Sequence, residues 1–177
     1  SGKKHMKIIS GGQTGVDRAA LDAAIALGIP HGGWCPKGRR AELETVIPEK
    51  YNLKETDSRE FEERTKLNIR DSDGTLILVL ETPIKVTDGT ILTIETVQES
   101  NKPYVIIDLS KETELEKLLT WVNDNNIKIL NVAGPRESQA PGVYLSSFIL
   151  LKNIFSSFLN KPDEEDTQKP SPYKPRI

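Results

Sequence analysis

Residues 10–18, SGGQTGVDR, join a short apolar run, Ile8-Ile9, to a helix-like pattern that continues to Leu27. Glycines let backbone N–H groups approach an oxyanion, and the unpaired N–H groups of a first helical turn point toward it. A strand, a glycine-rich turn and a helix in this order are typical of an anion-binding site. We therefore predict that this loop binds a phosphorylated ligand through Gly11, Gly12, Gln13, Thr14 and Gly15.

The loop is not a standard nucleotide fingerprint. It lacks the glycine spacing of the dinucleotide motif, and no Lys-Ser/Thr pair follows it as in a P-loop. The alternative is a turn that only joins a strand to a helix. Asp17 either favours the helix dipole or accepts a ligand hydroxyl, and Arg18 either clamps a phosphate or is solvated.

Composition limits the class of protein. The chain has 177 residues, the usual size of one α/β domain, and its net charge of −2 argues against nucleic-acid binding. No apolar run reaches the length of a membrane span, and no secretory signal is visible. The single cysteine, Cys35, fits a reducing cytoplasm and is expected to be a small buried hydrophobe. We expect a cytoplasmic protein with a small anionic ligand, no nucleic acid and no membrane partner.

The predicted elements alternate between strands and helices. Residues 1–6 are interpreted as a cloning remnant or a frayed end, 7–160 as a single ligand-binding domain, and 161–177 as a proline-rich acidic tail that is disordered or packs on a neighbour. Strands are predicted at 7–10, 31–34, 51–56, 75–80, 104–109 and 128–132, and helices at 15–27, 57–70, 88–101, 110–125 and 142–159. This alternation predicts an α/β fold with a mainly parallel sheet covered by helices on both faces. In such sheets ligands bind beyond the carboxyl ends of the strands.

The stretch GGWCPKGRR at 32–40 places three cations beside glycines and an indole. Lys37 is a candidate phosphate contact beside Gly38, and Arg39 or Arg40 is a candidate two-donor clamp. Trp34 either stacks on a planar heterocycle or covers the edge of the core. The alternative for the basic run is a solvated loop.

Two further turns lie at helix or strand ends. Asp88, Gly89 and Thr90 open a helix, either as a phosphate-facing turn or as an ordinary cap. Arg70 is a weaker ligand candidate, because it precedes Asp71 and the two side chains can pair.

The last candidate turn follows the strand predicted at 128–132. Arg136 and Ser138 deliver a guanidinium and a hydroxyl to the shared sheet edge, and Glu137 either holds Arg136 or acts as a base. No nucleophile elbow and no carboxylate cluster for a metal is visible. The sequence therefore shows many anion-binding features and few catalytic ones.

Six stretches together resemble the molybdenum cofactor carrier family, over roughly residues 7–155. They are SGGQTGVDRAAL at 10–21, GGWCPKGRRAE at 32–42, IPEKYNLKET at 47–56, NIRDSDGTLIL at 68–78, DGTILTIE at 88–95 and LNVAGPRESQAPGVY at 130–144.

The resemblance implies a three-layer αβα, Rossmann-like fold related to the lysine-decarboxylase-like, Lonely-Guy-type phosphoribohydrolases. It also implies a homo-oligomer that binds molybdenum cofactor (molybdopterin), with molybdoenzymes or cofactor-synthesis proteins as partners. That ligand carries a terminal phosphate and a planar pterin, and its dithiolene holds the metal. No metal ligand is then required of the protein.

The resemblance also contains one departure. The related hydrolases carry a PGGxGTxxE signature whose glutamate takes part in N-glycosidic cleavage, and the corresponding position here is Thr93, with Glu95 two residues later. This favours a carrier that binds without turnover. Two alternatives remain open: a nucleoside-monophosphate phosphoribohydrolase-like enzyme using Asp88 or Glu95, and a nucleotide or ADP-ribose sensor.

Overall fold

The computed structural model describes residues 6–80 and 88–160. The strands within these ranges are β1 Lys7–Ile9, β2 His31–Gly32, β3 Trp34–Cys35, β4 Lys54–Glu55, β5 Gly74–Val79, β6 Tyr104–Asp108 and β7 Ile129–Ala133. The helices are α1 Val16–Ala26, α2 Phe61–Arg70, α3 Asp88–Ser100, α4 Leu115–Asp124 and α5 Val143–Asn160, with short 3₁₀ turns at Lys37–Arg39 and Glu42–Glu44. No helix in these ranges combines the length and apolar character that a membrane crossing requires.

Five strands form one parallel sheet in the order β2-β1-β7-β5-β6. Ile8 of β1 lies opposite Leu130 of β7, and Thr75 of β5 lies opposite Asn131 on the other side of β7. The continuous aliphatic run of β5 is buried along its whole length, as expected for a strand covered on both faces. This confirms the predicted α/β class with a mainly parallel sheet.

Helices cover both faces of the sheet, giving three layers. On one face α1, α4 and α5 pack over β1, β5 and β7, with Phe155 of α5 fully buried. On the other face α2 and α3 pack through Ile69 and Val97 against Ile77 of β5. Since α1 and α3 lie on opposite faces, a crevice opens between the helix layers at the edge where the parallel strands β1, β7 and β5 end.

The strand predicted at 31–34 is wrong in one respect, because Gly33 divides it. Gly33 has a φ of +127°, and a Cβ there would overlap the carbonyl oxygen of Ser10 and lie 3.0 Å from its nitrogen. β2 therefore ends at Gly32, and Trp34 starts β3, which pairs in parallel with β4 in a separate two-stranded sheet. Cys35 of β3 is fully buried, and burial raises the pKa of its thiol, which confirms the expected buried hydrophobe.

Other helix and strand boundaries in the structure differ from the predicted ones by a few residues. Only Lys54–Glu55 of the strand predicted at 51–56 pairs with a neighbour. Helix α2 begins at Phe61 rather than at 57–58, because the Ser58 hydroxyl accepts a bond from the Glu60 N–H in a turn before the helix. The predicted N-terminal remnant, apart from residue 6, and the tail at 161–177 lie outside the described residues, so the three-part organisation of the chain stays a prediction.

Candidate functional site

A cleft of ≈ 300 Å³ opens at the carboxyl edge of the sheet, between α2, α3 and the loops after β1 and β7. This volume is at the lower end of the range of about 300–1,000 Å³ that is usual for small-molecule sites. Its lining includes Gln13, Asp17, Glu60, Phe61, Glu62, Arg64, Thr90, Thr93, Gly134, Arg136 and Gln139. The cleft lies where the strand topology predicts a ligand site.

In the glycine-rich loop, residues 10–15, several backbone N–H groups donate hydrogen bonds to side chains of the protein itself. The Gln13 N–H donates to Asp17 Oδ2 at 3.2 Å, and the Thr14 N–H donates to the Gln13 side-chain oxygen at 3.0 Å. The Gly12 N–H reaches the Ser10 hydroxyl at 3.4 Å. The anion held by this loop is therefore the carboxylate of Asp17, from the first turn of α1.

Arg64 is the counter-ion of that carboxylate. Arg64 Nη1 lies 3.4 Å from Asp17 Oδ2, and the two side chains are 14% and 3% exposed. Burial raises the pKa of Asp17, while Arg64 and the N–H groups of Gln13 and Gly11 oppose the rise. Arg64 Nε is buried without a hydrogen-bond partner in the described structure, so this guanidinium keeps an unused donor beside the cleft.

Gly11 provides the space through which Arg64 passes. A Cβ at Gly11 would lie 2.8 Å from Arg64 Cδ and 2.9 Å from its Cζ. Arg64 itself was missed in the sequence, because it is one charge among several on the polar face of α2 and nothing local relates it to residue 17.

Three arginines surround the ring of Phe61. Phe61, Arg64 and Arg136 line the cleft, whereas Arg40 lies outside its lining. The guanidinium carbons of Arg40, Arg136 and Arg64 lie 4.7, 5.4 and 5.6 Å from the ring centroid. We call these three residues and Phe61 the arginine rim. Within residues 6–80 and 88–160 neither Arg40 nor Arg136 has a carboxylate within ion-pair distance. The positive charges of the rim repel one another, and an anion placed between them would relieve that repulsion.

Glu42 joins the glycine-rich loop to the loop after β7. Its Oε1 accepts from the Thr14 hydroxyl at 2.5 Å and from the Ser138 N–H at 3.2 Å, and its Oε2 accepts from the Ser138 hydroxyl. Its backbone N–H donates to the Gln13 side chain at 2.9 Å. Burial works against the charged form, but the bonds from Ser138 and Thr14 outweigh it and lower the pKa of Glu42.

Gly15 lets the same two loops touch. It has a φ of +77°, and a Cβ there would overlap the Pro135 carbonyl oxygen and lie 2.8 Å from the Glu137 nitrogen. Together with Glu42, this close approach fixes the loop that carries Arg136 against the loop that holds Asp17.

The predicted site residues divide into two groups. The cleft brings together Gln13, Asp17, Gly89, Thr90 and Arg136, although they come from three separate regions of the sequence. Gly11 and Asp17 also line a smaller cavity of ≈ 10 Å³ beside Arg64. The side chain of Asp88 lies outside what the structure describes.

Other predicted residues of the loops make contacts within the protein, although Arg18 Nη2 is buried without a hydrogen-bond partner in the described structure. The Arg18 Nε donates to the Gly12 carbonyl at 3.1 Å, outside the cleft lining. Gly12 packs its backbone near Leu53, while Thr14 and Ser138 bond Glu42 as described above. Neither Thr14 nor Ser138 lines the cleft.

The basic stretch at 34–39 also lies outside the cleft lining. Arg39 donates from Nε to the Ile47 carbonyl at 3.0 Å and from Nη2 to the carbonyls of Pro48 and Tyr51 at 2.7 and 2.9 Å. Lys37 is exposed, and the Gly38 N–H donates to a Glu55 side-chain oxygen at 2.7 Å.

Trp34 and Arg70 meet at one carboxylate away from the cleft. Trp34 Nε1 donates to Asp71 Oδ2 at 2.8 Å, and Arg70 Nε lies 2.7 Å from Asp71 Oδ1. The pairing of Arg70 with Asp71 was one of the two interpretations left open by the sequence.

Thr93 lines the cleft at the position where the related hydrolases are expected to carry a glutamate. Its hydroxyl donates to the Gly89 carbonyl at 2.9 Å, and the residue is buried. Within residues 6–80 and 88–160 no group of three or more His, Cys, Asp or Glu side chains is placed to hold a metal ion.

Comparison with known proteins agrees with this architecture. The circularly permutated YpsA SLOG family matches residues 8–155. A solved structure described as a "putative molybdenum carrier protein" from Syntrophus aciditrophicus SB is 40% identical, with a TM-score of 0.76, and the match covers 90% of this chain and 98% of that one. No curated protein matches the chain. The two matches support a ligand-binding role.

Proposed function

This chain belongs to the circularly permutated YpsA SLOG family, and we propose that it binds and protects molybdenum cofactor, a phosphorylated pterin, without converting it. The observation that carries the proposal is the arginine rim beside the cleft. Among the described residues Arg136 and Arg40 have no carboxylate within ion-pair distance, although the charge of Arg136 acts on Glu42 from further away, and Arg64 keeps an unused Nε. A phosphate bound there would receive charge-assisted hydrogen bonds from guanidinium groups that hold fixed positions around Phe61.

The residues of the cleft fit the chemistry of this ligand. Arg136 and Arg64 would bind the phosphate, while Gln139, Thr90 and Gln13 offer polar groups to the edge of a heterocycle. The dithiolene of the cofactor holds the molybdenum itself, so the protein has to recognise only the organic part. The similar solved structure from Syntrophus aciditrophicus, which is described as a molybdenum carrier, is consistent with this assignment.

Binding without turnover is supported by Thr93. A hydroxyl at this position cannot replace the carboxylate that the related hydrolases use, since it neither stabilises positive charge nor accepts a proton at neutral pH. The hydroxyl is also engaged with the Gly89 carbonyl.

We place the protein in the cytoplasm as a homo-oligomer that exchanges the cofactor with molybdoenzymes or cofactor-synthesis proteins. The assembly is supported by Leu145 and Ile149, which lie one turn apart on α5 and are 60% and 62% exposed. Light scattering measures the oligomeric state directly.

The binding proposal is tested by titrating the protein with a phosphorylated pterin and with the same pterin lacking its phosphate. We expect the phosphorylated form to bind at least about tenfold more tightly. Arg136→Ala should weaken its binding about 10- to 100-fold, since a hydrogen bond to a charged group contributes about 1.5–3 kcal/mol. Lys128→Ala is the matched control, because it removes one positive charge at the opposite edge of the sheet. Equal binding of both pterins, or equal losses in both variants, would contradict the proposal.

Turnover is tested separately with a panel of nucleoside monophosphates. We expect no release of free base, and release would favour the phosphoribohydrolase. Thermal shifts separate the remaining alternative, since a ligand that binds only the folded state raises the unfolding temperature. Stabilisation by nucleotides but not by the phosphorylated pterin would favour the nucleotide sensor.

A further inference from the structure

Asp17 is a buried carboxylate, and among the described residues its ion-pair partner is Arg64, which also lines the proposed ligand site. The Asp17 side chain is 3% exposed, and the nearest guanidinium nitrogen, Arg64 Nη1, is 3.4 Å from Oδ2. That distance is longer than a well-formed charged hydrogen bond of about 2.7–2.9 Å. The ion pair with Arg64 is therefore weak in geometry, and the rest of the compensation comes from the N–H groups of Gln13 and Gly11 and from the charge of Arg18.

The guanidinium of Arg64 has two donors that matter here. Nη1 pairs with Asp17, and the buried Nε has no hydrogen-bond partner within the described residues. The Arg64 side chain also lines the cleft. A phosphate at the arginine rim would compete with Asp17 for this guanidinium and would also bring negative charge close to the carboxylate. Both effects disfavour the ionised form of Asp17.

We propose that binding of the phosphorylated ligand is coupled to the uptake of one proton by Asp17, so that Arg64 transfers its charge compensation from the carboxylate to the phosphate. The coupling rests on the proposed function, since it requires an anion at the rim. In atomic terms a solvent proton adds to a carboxylate oxygen of Asp17, and no other bond is made or broken.

The surroundings of Asp17 leave few other groups to respond. Arg64 faces it from α2 and Arg18 from its own helix, and both act to keep it ionised. The β7 and α3 residues beside the same small cavity include Asn131 and Thr93, which do not titrate. Glu60 and Glu62 also line the cleft. Both are present in the wild type and in Asp17→Asn, so the difference in proton uptake between these two proteins reports on Asp17.

The direction of the pH dependence follows from linkage. Burial already raises the pKa of Asp17 in the free protein above its ordinary value of 3.8, and the bound anion raises it further. Between the free and the bound pKa, affinity falls by up to about tenfold for each unit of rising pH, because ligand and proton bind together. Above the bound pKa the affinity levels off.

The test is calorimetric titration with a phosphorylated pterin between pH 5 and 7.5, in two buffers of different ionisation enthalpy. The ester itself titrates near pH 6, so the relevant quantity is the proton uptake of the wild type minus that of Asp17→Asn. We expect this difference to reach a substantial fraction of one proton. We also expect the Asp17→Asn affinity to lose the corresponding part of its pH dependence.

Asp22→Asn is the matched control on the same helix. Asp22 accepts a hydrogen bond from the Tyr51 hydroxyl at 2.7 Å and lies outside the cleft lining. The Asp22→Asn variant should therefore take up as many protons as the wild type when the pterin binds. If wild type and Asp17→Asn bind the pterin with the same proton uptake, the coupling is overturned while the binding function stands. If the pterin does not bind to the wild type, both proposals fail.

Discussion

The glycine-rich loop contributes Gln13 to the lining of the cleft, and the arginine rim contributes Phe61, Arg64 and Arg136. The two regions differ in how their charged and polar groups are compensated. The loop directs the Gln13 N–H to the carboxylate of Asp17, so an anion of the protein itself occupies it. The rim gathers three guanidinium groups around Phe61, and among the described residues two of them, Arg40 and Arg136, have no carboxylate within ion-pair distance. Under our proposal, the positive charge for a ligand comes from the rim.

This difference suggests two roles: the loop packs the structure around the cleft, and the rim is the part that we propose binds the ligand. In the loop, Gly11 makes room for Arg64 and Gly15 makes room for the backbone of Pro135, so both glycines serve close packing. In the rim, Arg136 is held at the cleft by a loop that Glu42 and Gly15 fix in place. We therefore propose that the glycine-rich loop shapes the site, while the neighbouring arginines provide the charge that binds the ligand.

The largest expected effect is on the packing role of the loop. Gly15→Ala should lower the free energy of unfolding by about 3–5 kcal/mol, because it combines a strained positive φ with overlap against backbone atoms. Urea denaturation measures the change. Gly89→Ala is the control: a Cβ there meets no atom within 4 Å, and alanine in a helix is favoured over glycine by about 0.5–1 kcal/mol.

If Gly15→Ala keeps wild-type stability but loses the pterin, the loop contacts the ligand directly. The distinction between the two regions would then be wrong.

A smaller effect is expected at the joint between the regions. Glu42→Gln should cost about 1–3 kcal/mol in unfolding free energy, because an amide replaces an acceptor oxygen that faces Thr14 and Ser138. The folded-state pKa of Glu42 is lowered, so its contribution is present above the ordinary carboxyl value of 4.5 and is lost as pH falls through the lowered pKa. Urea denaturation at pH 7 and at pH 3 should show the cost shrinking in acid.

Glu44→Gln controls for loss of charge in the same turn, since Glu44 is exposed. A cost that stayed constant between pH 7 and pH 3 would mean that the ionised carboxylate does not hold the two loops together.

The smallest effect is expected at Trp34, which lies outside both regions. Trp34→Phe removes the hydrogen bond to Asp71 and should cost about 0.5–1.5 kcal/mol. Affinity for the phosphorylated pterin should be unchanged in calorimetry. A loss of tenfold or more would place the indole against the heterocycle and extend the site beyond the rim.

Much of the fold could be predicted because its signals are local. The aliphatic run of β5 and the glycine and proline residues that end the helices identify elements from their own sequence. The division of the strand at 31–34 could not be predicted in this way. It depends on Gly33 approaching the backbone of Ser10, a contact between residues far apart in the chain.

The site shows the same limit. Arg136 could be proposed because it directly follows a strand at the carboxyl edge, and Thr90 because it opens a helix there. Glu42 and Arg64 could not, since Glu42 meets Ser138 across 96 residues and Arg64 meets Asp17 across 47. Arg39 had an attractive local setting, but three backbone carbonyls use its guanidinium.

The most direct test is a crystal structure of the protein with a phosphorylated pterin bound. Our account predicts that the phosphate lies within hydrogen-bond distance of Arg136 and Arg64, with Asp17 still in contact with the Gln13 N–H. A phosphate bound to the N–H groups of the glycine-rich loop, with Asp17 displaced from it, would contradict the account.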